Sequence, residues 1–134
     1  MESTPLDLTP ELTATTDRLG REFMLAILEV ETARHPENIE ALAELGHAYT
    51  REGRHVDGLR IDRKLARLIP DDPTVHYNLA CSLSLLERPD AALDALEASV
   101  RLGYADYEFM VKDEDLAALR GDRRFEELLH SLTN

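Results

Sequence analysis

The chain has a single cysteine, Cys81, and no tryptophan. One thiol cannot build an internal disulfide framework, so packing alone must hold the fold, and a reducing, cytoplasmic setting fits best. Aromatic residues make up only 5% of the 134 positions. Six glycines and six prolines are too few for a loop-rich or disordered chain. The start, Met1 to Thr16, has neither a basic cluster nor an apolar run and does not read as a secretory leader. No stretch approaches the roughly 20 apolar residues of a spanning helix, so a membrane is not an expected partner. Basic residues are also scarce, with 15 Lys and Arg against 27 Asp and Glu and a formal net charge of −12. Such a chain repels phosphate backbones, which excludes nucleic acid as an expected partner. The acidic excess reads as a solubilising surface.

What is abundant is Leu, Ala, Glu and Arg, the composition of helix. Pro36, Pro70 and the Gly103-Tyr104 pair close successive blocks, while Gly53 and Pro89 fall at turns within them. Asn38 and Asp72 stand before helical patterns, where a side-chain oxygen can cap free backbone N–H groups. Pro73 follows Asp72 at a first helical position, where its missing N–H costs nothing. The pattern predicts helices near 39–52, 55–68, 73–86 and 89–102, then a short one near 105–112 and a last one near 122–132. A leading helix ends near Arg34. Its start stays open: Thr9-Pro10-Glu11 is a good N-cap signature, but the Thr-rich run to Thr16 is a poor helix former. The alternatives are a flexible 1–16 followed by a helix over 17–36, or a longer helix that Gly20 breaks in two. No sustained alternation of apolar and polar residues predicts a strand.

The blocks repeat. Leu45-Gly46 and Leu79-Ala80 are offset by 34 residues, as are Leu59 and Leu93, and Leu68 and Leu102. On these residues, 39–72 resembles a tetratricopeptide repeat: Leu42 stands at the family's Trp place, Leu45-Gly46 and Tyr49 match its first helix, and Pro70 its closing Pro. Gly58 replaces the small Ala of the second helix, and Asp62 its large aromatic. Residues 73–104 resemble a second repeat through Leu79-Ala80, Leu83, Ala92 and Leu96, with His76 at the Trp place and Tyr104 at the Pro. The segment 105–132 is similar to a degenerate third repeat that caps the stack, with Phe109, Leu116, Leu119, Phe125 and Leu128 facing inward. The resemblance implies a single all-α domain over 1–134, with antiparallel helix-turn-helix repeats stacked as a short right-handed α-solenoid. Close packing explains the pattern, with Gly46 and Ala80 at helix contacts where a small residue lets backbones approach.

Little in the chain points to catalysis. No Gly-rich phosphate loop and no nucleophile-elbow serine is present. Cys81 lies mid-helix, where the backbone N–H groups are already used, and reads as a small apolar filler or groove residue. The five histidines show no His-x-x-x-His spacing. His47 and His76 could come near each other on adjacent first helices, with Cys81 one turn beyond His76, but neither a metal nor a cofactor is expected. Arg60, Arg63, Lys64 and Arg67 form a basic stripe that reads as a solvated outer face offset by Asp57 and Asp62.

The resemblance implies a concave groove lined by the first helix of each repeat. The matching positions are Glu40, Ala43, His47, Thr50 and Arg51, then Thr74, Tyr77, Asn78, Cys81 and Ser84. The spacings 43, 47, 50 and 77, 81, 84 each follow one helical face. Such a surface suits an extended peptide or a helix of another protein, with Tyr77 as anchor, and implies an interaction adaptor and no enzyme. Self-association of the chain as a homo-oligomer is the alternative. Asn78 falls at one position of the basic clamp with which some members grip acidic chaperone tails, but Ala43 and His47 stand where that clamp needs Lys and Asn.

Overall fold

The computed structural model describes residues 9–133, and every secondary-structure element among them is helical. In chain order these are α1 (Pro10–Arg34), α2 (Ile39–Arg51), α3 (His55–Leu68), α4 (Pro73–Leu85), α5 (Pro89–Arg101), α6 (Tyr107–Lys112), a 3-10 segment (Glu114–Leu119) and α7 (Arg123–Ser131). No described helix is long and apolar enough to cross a membrane.

Side-chain caps set most of the starts. Asn38 accepts from the Ala41 amide at 3.1 Å, Asp72 from Thr74 at 2.8 Å, Asp106 from Phe109 at 3.1 Å and Asp122 from Arg124 at 2.8 Å. Thr9 caps α1 through the Leu12 amide at 3.1 Å. Of the segment expected to be flexible, residues 1–8 lie outside the described residues, while Pro10 to Thr16 belong to α1. The threonines fit because Thr15 and Thr16 donate to the Glu11 and Leu12 carbonyls, each at 2.9 Å, so their hydroxyls are satisfied without leaving the helix. Gly20 leaves α1 unbroken.

Consecutive helices pack on one another from α1 to α5, the 3-10 segment lies on α4, and α7 contacts α5 and α6. One core cluster joins Leu25, Leu42, Leu45, Tyr49, Ile61 and Leu65. The other joins Tyr77, Ala80, Leu93 and Leu96 to Met110, Leu116, Leu119 and Phe125 of the tail. Arg124 ties α7 to α5 through Asp94 at 2.7 Å and Glu97 at 3.0 Å. The turns at Gly53 and Glu87 share one geometry. Both residues have positive φ, 73° and 57°, and the following amides of Arg54 and Arg88 reach back to the carbonyls of Tyr49 and Leu83. Glycine takes this conformation freely; Glu87 takes it at a cost.

Two inward-facing residues differ from expectation. In α6, Met110 is fully buried and Phe109 is 53% exposed. In α3, Asp62 is buried and does not offset the basic stripe, while Asp57 sits beside Arg54 and Arg60 at 2.9 and 3.9 Å.

The crossing of α2 and α3 is tight at Gly46. A Cβ there would lie 3.3 Å from Asp62 Oδ1 and 3.4 Å from Ile61 Cγ2. Gly46→Leu is therefore expected to overpack the crossing and lower stability by about 1–3 kcal/mol, read as a lower urea midpoint with an unchanged slope. A midpoint equal to the parent's would show that the crossing has room to spare.

Candidate functional site

A groove of about 490 Å³ opens between α2, α4 and the tail. From α2 come His47, Thr50 and Arg51; from α4 come Thr74, Tyr77, Asn78 and Cys81. These residues recur every three or four positions, so each helix turns one face to the space. Tyr104, Phe109, Asp113 and Asp115 of the tail form the third wall, and Gly46, Asp62 and Ser82 also border it. Three of the expected residues lie elsewhere. Glu40 is exposed near the start of α2, outside the groove, and Ala43 packs against the N-terminal core cluster. Ser84 is buried, and its Oγ has no hydrogen-bond partner among the described residues.

Tyr77 is at the groove but is only 3% exposed. Tyr104 stacks on its ring with centroids 4.3 Å apart and planes 10° from parallel, and Phe109 leans on it at 6.0 Å. Its hydroxyl donates to Asp113 Oδ2 at 2.7 Å, and the Cys81 thiol approaches the same oxygen at 3.7 Å. Tyr77 is thus a fixed wall, and the exposed aromatic of the groove is Phe109. Burial, followed by the hydrogen bond to Asp113, pushes the Tyr77 hydroxyl well above its ordinary range, so it remains a donor. Burial and then the Asp113 charge push the Cys81 thiol up as well, the reverse of what a nucleophile or metal ligand needs.

His76 does not join His47 and Cys81. Its Nε2 lies 2.7 Å from the Pro70 carbonyl, at the start of α4. Among the described residues, ligand-type atoms come together instead at Cys81, Asp113 and Asp115, all within 4.8 Å of one another. Asp113 there already accepts from Tyr77, from Cys81 and, through Oδ1, from the Asp115 amide at 3.0 Å. Burial and the neighbouring Asp113 charge raise the Asp115 carboxyl above its usual range. Sequence reasoning missed these tail residues, because only the docking of the tail on α4 brings them to the groove.

Asp62 reaches the groove from α3. Ser82 donates to its Oδ2 at 2.5 Å. Burial raises its carboxyl from 3.8 to about 6, against the opposing effects of the Ser82 hydrogen bond and the His47 charge.

No protein-family profile matches the chain. A curated relative, a chloroplastic protein of Arabidopsis thaliana, is 33% identical over 87 residues. The match covers 63% of this chain but only 26% of that protein, so the chain spans about a quarter of the relative's length.

The raised carboxyl of Asp62 makes a prediction with a definite sign. The folded protein keeps this proton over a range in which the unfolded chain has lost it. Stability from this group is therefore fully present below about pH 4, falls as pH rises through about 6, and stays lower above, a loss on the order of 2–3 kcal/mol. Asp62→Asn keeps an acceptor for Ser82 and removes the charge. The variant is expected to exceed the parent in stability by about 1–3 kcal/mol at pH 8, with the advantage vanishing toward pH 4. Urea denaturation across that range checks this, and a difference independent of pH contradicts it.

Proposed function

We propose that the chain is a tetratricopeptide-type interaction module, with its helix pairs stacked as a short right-handed superhelix. Its groove between α2 and α4 takes an extended segment or a helix of another protein. One observation carries this reading: an open groove whose walls are held by buried contacts while His47, Arg51, Thr74 and Phe109 stand exposed around it. Preformed walls spare an incoming peptide the cost of ordering them. The −12 charge argues against a nucleic-acid partner. A protonated, buried Cys81 argues against thiol catalysis, so the groove is proposed to bind and not to react. A cytoplasmic setting is proposed with it, on the single buried thiol. The relative matches over too little of its own length to lend its role to this chain.

The anchor passes from Tyr77 to Phe109. Phe109 offers a large apolar surface with few rotamers to freeze, backed by the stacked Tyr77 and Tyr104. Peptides panned from a random displayed library on the immobilised chain provide the test. Selected peptides are expected to shift the amide resonances of His47, Thr50, Asn78 and Phe109. Phe109→Ala should weaken them by about 1–3 kcal/mol, and Arg63→Ala on the outer face of α3 by less than about 0.5 kcal/mol. Shifts confined to Arg60–Arg67, with binding that collapses as salt rises, would move the site to that face and make the groove assignment wrong.

A further inference from the structure

Helix α1 is 25 residues long and its neighbour α2 only 13. Every residue from Pro10 to Met24 is exposed. Contact with α2 is made by the C-terminal half, where Leu25 and Thr32 are buried and Leu28 is half-buried. The N-terminal half is tied to the rest by the Arg21–Glu52 pair at 3.1 Å. A helical overhang with so few tertiary contacts is marginal by itself.

That overhang carries an apolar face. Leu12, Leu19, Phe23, Ile27 and Val30 follow one another at steps of seven, four, four and three residues, which places them in one narrow sector of the helix. They are 49%, 55%, 68%, 45% and 52% exposed. By helical geometry the residues that meet α2, Leu25, Leu28 and Thr32, project to the opposite side. Thr16 and Ala26 complete the sector, and no charged residue interrupts it between Leu12 and Val30.

We propose that α1 is a dimerisation helix, pairing with α1 of a second copy through the Leu12–Leu19–Phe23–Ile27–Val30 face. Area supports a second copy. Five large apolar side chains, each about half exposed, with Met24 beside them, offer on the order of 600 Å² per copy, as large as the most extensive apolar patches monomers tolerate. Adding the helix flanks brings each side toward the roughly 800 Å² of a stable interface. Charge supports it too. Two chains of net charge −12 repel over most of their surface, but α1 holds five acids and three bases, with none in the apolar sector between Leu12 and Val30. An uncharged sector lets like copies approach here without setting charge against charge. A two-fold pairing presents the same patch from both sides and closes without further growth.

Sedimentation equilibrium of the full chain between about 1 and 100 µM tests the proposal. The expected mass is twice the 15.1 kDa of one chain. Phe23→Glu with Ile27→Glu places charge in the pairing face, away from α2, and should weaken association at least about a hundredfold while the far-ultraviolet helical signal persists. Should that variant lose its helical signal, Phe23→Ala with Ile27→Ala reads the same face, with an expected loss of about tenfold or more. Arg63→Glu, on another helix, should leave the dimer intact. A parent at 15.1 kDa throughout, as when the face is covered by residues 1–8 or awaits a different protein, overturns the proposal. So does a folded face variant that associates as the parent does.

Discussion

A carboxylate moved from water toward a protein interior has to exchange its hydration for donors. Asp113 finds them on the element the tail must dock against. Tyr77 and Cys81, one turn apart on α4, both reach its Oδ2, and the Asp115 amide takes Oδ1. Hydrogen bonds to an ionised acceptor are the stronger class, and leaving such an acceptor unpaired costs more than the bond gains. Asp113 therefore fixes where the chain leaves α6 and enters the 3-10 segment, and with it the position of Phe109 and Tyr104 against Tyr77. Helix α6, at six residues, is too short to hold itself, and Met110 is the one residue it buries.

The groove follows from that docking. Of its walls, α2 is held by the close crossing at Gly46, α4 packs through the fully buried Ala80, and the third exists because the tail closes on α4. The aromatic stack is shared between wall and tail, so the aromatic surface left exposed in the groove is Phe109 and not the tyrosine beneath it. Asp62 shows the opposite balance. In the repeat that the sequence resembles, its place is that of a large aromatic; it is buried with one good donor, and its charge costs stability at neutral pH. A protein that keeps such a group gives up folding energy at the groove margin.

The helices were legible because their signals are local. Asn38 and Asp72 cap, the prolines open or close, and the 34-residue offset sets the spacing of the helices. Groove residues on α2 and α4 were legible as helical faces, up to the point where that logic fails. Ser84 is on the expected face by spacing but is buried, because α4 packs against α3, α5 and the 3-10 segment together and residues 80–84 are buried in succession. In α6 the periodicity is too short to tell Phe109 from Met110. Asp62 looked like a surface acid among Arg60, Arg63 and Lys64, and its place in the repeat was the contrary signal. Asp113 and Asp115 could not be assigned to the groove at all, since Asp113 meets Tyr77 and Cys81, and Asp115 comes near Cys81, across more than thirty residues of chain.

Amide hydrogen exchange on Asp113→Ala beside the parent tests the central claim most directly. If the Asp113 carboxylate holds the tail to α4, amides of Tyr107–Leu119 should exchange at least about tenfold faster in the variant, while those of Leu45, Leu65 and Leu93 keep the parent's protection. Unchanged protection across Tyr107–Leu119 would contradict the account and leave apolar packing alone to place the third wall.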